Sequence, residues 1–425
     1  MYYSIIIIFI SIIFSQNIET IKIEGNKKTH EYIILREIKQ EVNTEFNETI
    51  LIEDKNRIYN LGLFSSVDIQ IIKNTYLVTV SEMWYIWPFP IIKYDNKSEK
   101  ISYGGGVAHN NFRGRDTDIV LGTTFGNVKE YFLWYQNPWI SGDHNSVEMG
   151  LYNQSSDHFI YNILEKDKGF FVEGGFYKGY NNQFNFWINY NSKVMNEIED
   201  SDKDILESEH LSQTDFSYVR LGSQYTYDTR DIYVDPNAGI FFNIGLTGLF
   251  GLDDTKNIYE IETHFSIYKN LISSIYEGGS YQGIYLSPVF KYSLFSKFQY
   301  STSELPIFKK EYIGGQDYIR GYSPIPSENS MSNSRELIEV DNFLINTFEV
   351  QSTLIKRKEY LDKVEMGIDF VLFADWGVGY NLNKSINFDN SLFGYGAGLR
   401  IFIMGAVIKI DYGFNSKSTS QLHLF

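Results

Sequence analysis

From Trp84 to its end the chain repeats one unit, a run of roughly ten residues in which apolar and polar side chains alternate, followed by a turn or loop. Phe184-Asn185-Phe186-Trp187-Ile188-Asn189-Tyr190 is the cleanest example. A period of two places one set of side chains on each face of a sheet. Such runs centre on Ile92, Gly105, Leu121, Leu133, Met149, Val172, Phe186, Leu221, Ile244, Phe265, Phe290, Phe348, Phe370, Ala397, Ile408 and Leu422. Residues 86–425 have room for about 16 strands with their connections. The connections alternate in length, the long ones falling near 154–166, 193–213, 301–342 and 379–390. The pattern predicts an all-β transmembrane barrel of about 16 antiparallel strands, wet inside and apolar outside.

Composition agrees with a sheet of that kind. The 425 residues include 33 Tyr, 32 Phe and 33 Gly, yet mean hydropathy is only −0.25. A net charge of −16 argues against a nucleic-acid partner, because phosphate binding needs basic patches. There is no cysteine, so disulfides and thiol chemistry are excluded. Ile5 to Phe14 is almost entirely Ile and Phe and has the length of a signal-peptide core, too short to span as a helix. Residues 1–15 are therefore read as a signal peptide, although no Lys or Arg precedes the apolar run. A buried N-terminal strand is the alternative.

Residues 16–85 read as a separate α/β module of order β-α-α-β-β. Ile18, Ile21 and Ile23 start a strand that stops at Gly25-Asn26. Thr29 is placed as the N-cap of a helix through Gln40, and a second helix is expected from about Asn47 to Asn60. Val67, Ile69 and Ile71, then Leu77, Val78 and Val80, make two more strands. Trp84, Tyr85, Trp87 and Phe89 form an aromatic cluster at the junction, suited to a membrane interface. Pro88 and Pro90 weaken the hydrogen bonding of the first long strand, since neither has an N–H.

Tyr312-Ile313-Gly314-Gly315-Gln316-Asp317-Tyr318-Ile319-Arg320-Gly321-Tyr322 lies within the longest connection, 301–342. Connections of that length are usually functional when their composition is not that of a disordered segment. Gly314 and Gly315 allow backbone shapes closed to other residues. Arg320 leaves a tight, partly apolar turn between Ile319 and Gly321. A permanent cation in such a place needs a carboxylate partner, although a surface loop with a solvated Arg is the alternative. The 193–213 connection carries Glu197, Glu199, Asp200, Asp202, Asp204, Glu207 and Glu209, which read as a solvated loop rather than a metal site.

Several phrases, in order, resemble a known family. Ile21-Lys22-Ile23-Glu24-Gly25-Asn26, Leu61-Gly62-Leu63-Phe64-Ser65-Ser66-Val67 and Val78-Thr79-Val80-Ser81-Glu82 resemble a POTRA domain. Asn110-Asn111-Phe112-Arg113-Gly114-Arg115, Asn137-Pro138-Trp139, Tyr227-Asp228-Thr229-Arg230-Asp231, the Arg320-Gly321-Tyr322 loop, Phe373-Ala374-Asp375-Trp376-Gly377 and Asp411-Tyr412-Gly413-Phe414 with the terminal Phe425 resemble the BamA/TamA-like outer-membrane assembly superfamily. The resemblance implies that the long loop folds into the lumen. There Arg320 would meet Asp375 and Glu349 on the inner wall. It also implies a seam between the first and last strands, marked by Ile92, Leu422 and Phe425, where a client strand pairs before release into lipid.

The function implied is an outer-membrane protein assembly factor with its POTRA domain in the periplasm. Its partners would be unfolded outer-membrane protein clients and outer-membrane lipid, with accessory lipoproteins as a further class. No Gly-x-x-x-x-Gly-Lys-Ser/Thr and no His-Glu-x-x-His motif occurs, so no catalytic residues, metal or cofactor are assigned. A dedicated secretion pore is the first alternative. Export relatives commonly carry two such modules and general assembly factors several, so one implies a specialised member. A structural porin or surface antigen is the second alternative.

Overall fold

The computed structural model describes residues 17–95, 100–141, 144–158, 161, 163–197, 214–271, 288–325, 335–361, 364–382, 384–403 and 406–424. The expected signal peptide, residues 1–15, lies outside these residues. So do Phe425 and the acidic stretch from Glu199 to Glu209.

The N-terminal domain has the order β1 (Thr20–Glu24), α1 (Glu31–Leu35), α2 (Glu48–Asn60), β2 (Phe64–Ile72) and β3 (Thr75–Glu82). In its sheet β3 is central, parallel to β1 and antiparallel to β2. Alternating Val67, Ile69, Val78 and Val80 turn inward onto Ile33, Ile34 and Ile58 of the helices. Asn47 caps α2, its side chain accepting from Thr49 N at 2.9 Å. The first helix departs from expectation: its N-cap position is His30, whose side chain makes no capping bond, and it stops at Leu35. Two competing acceptors explain this. Thr29 N donates to Glu82 Oε1 at 2.7 Å, which removes Thr29 from the cap. Lys39 N donates to the buried Asp54 at 2.7 Å, which draws the chain away from the helix axis.

Sixteen further strands form one antiparallel sheet in strict chain order. They are β4 (Ile86–Asp95), β5 (Lys100–His109), β6 (Asp118–Phe125), β7 (Lys129–Ser141), β8 (Asn145–Asp157), β9 (Ile163–Lys178), β10 (Asn182–Glu197), β11 (Asp215–Asp228), β12 (Gly239–Gly251), β13 (Ile258–Asn270), β14 (Val289–Ser301), β15 (Asn342–Leu361), β16 (Val364–Tyr380), β17 (Leu392–Ile403), β18 (Ala406–Asn415) and β19 (Ser420–Leu424). Each of the sixteen centres expected from alternation lies in its own strand. Leu121, Leu133, Phe186, Leu221, Leu372 and Leu422 point outward and are exposed, as a lipid-facing surface requires. Two long connections are shorter than the pattern implied, because β8, β9 and β10 extend past the apolar band into residues 154–157, 163–166 and 193–197.

The connection between β14 and β15 turns into the barrel. Near its start Leu305 and Ile307 pack with Tyr161, Met195, Phe216 and Tyr218 from the strand ends at the loop side. Further on, Glu311–Tyr312 pairs with Glu339–Val340. Ile313, Ile319 and Tyr322 are then fully buried against Phe343, Ile345 and Leu392 of the wall.

The N-terminal domain sits over the opposite mouth, against the short turns. Arg36 pairs with Asp116 and lies over Trp139 at 4.6 Å. Arg57 lies over Tyr180 at 3.2 Å. Asn60 bonds Asp231 O and Tyr233 N, each at 3.0 Å, and Tyr59 donates to Glu365 at 2.5 Å. Tyr85 belongs to this domain's core, where its hydroxyl meets Thr29 Oγ1 at 2.8 Å, rather than to a membrane-interface cluster.

Candidate functional site

The site is built on a strand of charges that alternation places inside the barrel. Lys291 (β14), Glu349 (β15), Asp375 (β16), Arg400 (β17), Asp411 (β18) and His423 (β19) occupy six adjacent strands. Lys291 lies directly opposite Glu349, and Asp411 directly opposite His423. The loop delivers Arg320 into their midst.

Arg320 is 4% exposed and Asp375 fully buried. Nε and Nη2 of Arg320 donate to the two oxygens of Asp375, both at 2.7 Å, a bidentate grip that a planar fork can make and a Lys cannot. Nη1 donates to Glu349 at 2.7 Å and to Asp411 at 3.1 Å. The Arg320 backbone N–H adds a bond to Asp375 at 3.0 Å. The guanidinium lies over Phe373, its carbon 3.6 Å from the ring centre. Arg400 joins Asp411 at 2.5 Å, and Lys291 joins Glu349 at 3.1 Å. Three cations thus face three carboxylates, and the cluster is neutral without solvent. An arrangement of this kind fixes geometry more than it adds net stability.

The backbone beside Arg320 is held as closely. Gly321 adopts φ +92°, and a Cβ there would lie 2.5 Å from the Phe414 carbonyl oxygen, so only glycine fits this approach. Gly321 N–H donates to His423 Nε2 at 3.0 Å, and its carbonyl accepts from Asn415 at 2.8 Å. The Tyr322 hydroxyl lies 3.1 Å from Ser416 Oγ. Gly315 has φ +105°, and Gly314 bridges to Ile319 to close the turn. Beneath the clasp is a cavity of about 460 Å³ bordered by Arg230, His264, Lys291, Glu349, Arg400 and Lys409.

The structure therefore places Gly314, Gly315, Arg320, Gly321 and Tyr322 together with Glu349 and Asp375. Reading the chain alone missed Asp411 as a third acid, together with Lys291, Arg400 and His423. The available signal was parity: Asp411 sits between Ile410 and the lipid-facing Tyr412 yet is fully buried. Ile92 and Leu422 lie on the two edge strands, 74% and 63% exposed, and β4 and β19 share no ladder among the described residues. Phe425 lies outside them.

Comparison with known proteins fits this architecture. Residues 111–423 match the Omp85 superfamily domain, and residues 16–82 match the POTRA family described as surface antigen variable number repeat. The outer membrane protein assembly factor BamA of Nitratidesulfovibrio vulgaris is 24% identical over 401 residues, which cover 88% of this chain and 45% of that protein. The chain thus spans less than half the length of that relative. BamA from Haemophilus ducreyi lacking POTRA domains 1–3 superposes with a TM-score of 0.55 at 15% identity, covering 96% of this chain and 85% of that one. CdiB from Escherichia coli superposes at 0.51 and 10% identity, covering 96% and 89%. At such identities the two likenesses are of fold. The chain belongs to the Omp85 superfamily, a bacterial outer-membrane β-barrel with a POTRA domain in the periplasm.

Proposed function

We propose that this protein is an outer-membrane protein assembly factor, which captures client β-strands and inserts them into the outer membrane without ATP. One observation carries the reading. The lumen is crossed by a loop clasped to the wall, whereas the two edge strands of the sheet share no ladder among the described residues. A polypeptide passing through the lumen would have to break a buried ion cluster. A strand entering at the sheet edge would meet free backbone groups. The POTRA domain over the periplasmic mouth adds to the obstruction of a straight path. Client strand pairing and burial in lipid supply the driving force, and the clasp keeps the last strands in register while this happens.

Depletion of the protein followed by an inventory of outer-membrane proteins tests this. Broad loss of barrel proteins is expected. Loss of a single secreted product would overturn the assembly reading in favour of a dedicated export pore. An oxidised disulfide between cysteines at Ile92 and Leu422 tests the edge itself: assembly should stop, and unchanged activity would refute the seam as the place of work.

A further inference from the structure

The ladder between β4 and β5 is continuous from Ile86–His109 to Asp95–Lys100, although it contains Pro88 opposite Val107 and Pro90 opposite Gly105. In an antiparallel ladder, pairs that exchange both N–H···O bonds alternate with pairs that exchange neither. The backbone groups of the second kind point to the far side of the strand. Proline has no N–H, so Pro88 and Pro90 must be of the second kind. The neighbouring bond agrees: Asn110 N donates to Tyr85 O at 2.9 Å, which sets the bonded parity to the odd-numbered residues. Trp87, Phe89 and Ile91 therefore bond β5, and the backbone edges of Pro88 and Pro90 face the seam. Each presents a carbonyl there and no donor.

We propose that Pro88 and Pro90 are positioning residues that keep the seam edge of β4 from pairing durably, whether with this chain's own last strand or with a client's. The proposal rests on the assembly reading above only for its consequence, that a strand laid in the seam can leave again. A partner strand opposite the prolines would keep two carbonyls without donors in a place that holds no water, where such groups are costly. Soluble sheets blunt their edges with Lys, but a lipid-facing charge is itself expensive, so proline is the device compatible with a bilayer. The edge strand β19 is not left loose by this. It is bonded to β18 and tied from within the lumen, through His423 to Gly321.

Pro88→Val with Pro90→Val restores both donors. Cysteines at Ile92 and Leu422 report seam pairing as the rate of disulfide formation in lipid vesicles, and an eight-stranded barrel protein serves as client in a reconstituted assembly assay. The double variant should crosslink on the order of tenfold faster than its proline-bearing parent, as two recovered hydrogen bonds imply, and should assemble client more slowly. Equal crosslinking rates overturn the proposal whatever assembly does. Faster crosslinking with undiminished assembly upholds the prolines as edge breakers and refutes the seam as the working site. If the double variant does not fold, each single Pro→Val carries the same readout. Spin labels at positions 92 and 422 with both prolines retained should show a broad spread of separations, and one narrow paired-strand separation would overturn the proposal without any proline variant.

Discussion

Replacing Arg320 by Ala removes the only side-chain cation paired with Asp375 among the described residues. Four side-chain hydrogen bonds to three carboxylates are lost together. Glu349 keeps Lys291 and Arg400, and Asp411 keeps Arg400. Asp375, fully buried, keeps one backbone N–H. The damage therefore concentrates on one carboxylate, and the relevant magnitude is that for breaking a buried pair, about 3–5 kcal/mol. Summing four charged hydrogen bonds would overshoot, since the loop relaxes once released. Arg320→Lys keeps the charge and loses the fork, so roughly half of that loss is expected. Urea titration of the barrel folded in lipid vesicles, read by the mobility of the unheated band, measures it. Asp375→Asn in the Arg320→Ala background should recover part of the stability by removing the orphaned charge. An Arg320→Ala variant within about 0.5 kcal/mol of the parent, the range of an ordinary surface change, would refute Arg320 as the partner of a buried carboxylate. So would an Asp375→Asn change that recovers nothing.

Gly321→Ala should destabilise the loop by about 1–3 kcal/mol, through its positive φ and the clash with the Phe414 carbonyl, and limited proteolysis should then cut the loop. His423→Gln retains an acceptor for Gly321 N–H and should preserve assembly better than His423→Phe; equal effects would deny His423 its tie to the loop. Arg36→Ala with Asn60→Ala should loosen the POTRA domain from the periplasmic mouth and raise the ion conductance of the barrel in planar bilayers. In the POTRA domain, burial alone would raise the Glu82 pKa, but bonds from the backbone of Thr29 and Lys28 and from the Thr29 hydroxyl hold it below the usual glutamate value. Its contribution is present at neutral pH and lost as pH falls through and below the ordinary carboxylate range. Glu82→Gln should therefore lower stability at pH 7 by about 1–3 kcal/mol and flatten the acid limb of the unfolding curve.

Strand number and order were legible because a membrane sheet obeys a local rule: each strand must alternate, and each neighbour in sequence is a neighbour in space. The POTRA strands and α2 were legible for the same reason, through their own periods and the Asn47 cap. The end of α1 was not, because it is decided by Asp54 and Glu82, which lie well apart from it in sequence. The loop motif announced a buried cation, and resemblance pointed to Glu349 and Asp375. Parity could turn Asp411 inward, but nothing local says which inward groups meet, for Asp411 is 91 residues from Arg320 and His423 is 102 from Gly321.

Periodicity along the chain alone determined a sixteen-stranded barrel behind a small α/β domain, since side-chain direction in a strand depends on parity and on little else. Tertiary structure decided which inward charges meet, because curling the sheet brings six strands around one guanidinium. It also decided which edge the prolines face, because that depends on the side from which β5 bonds.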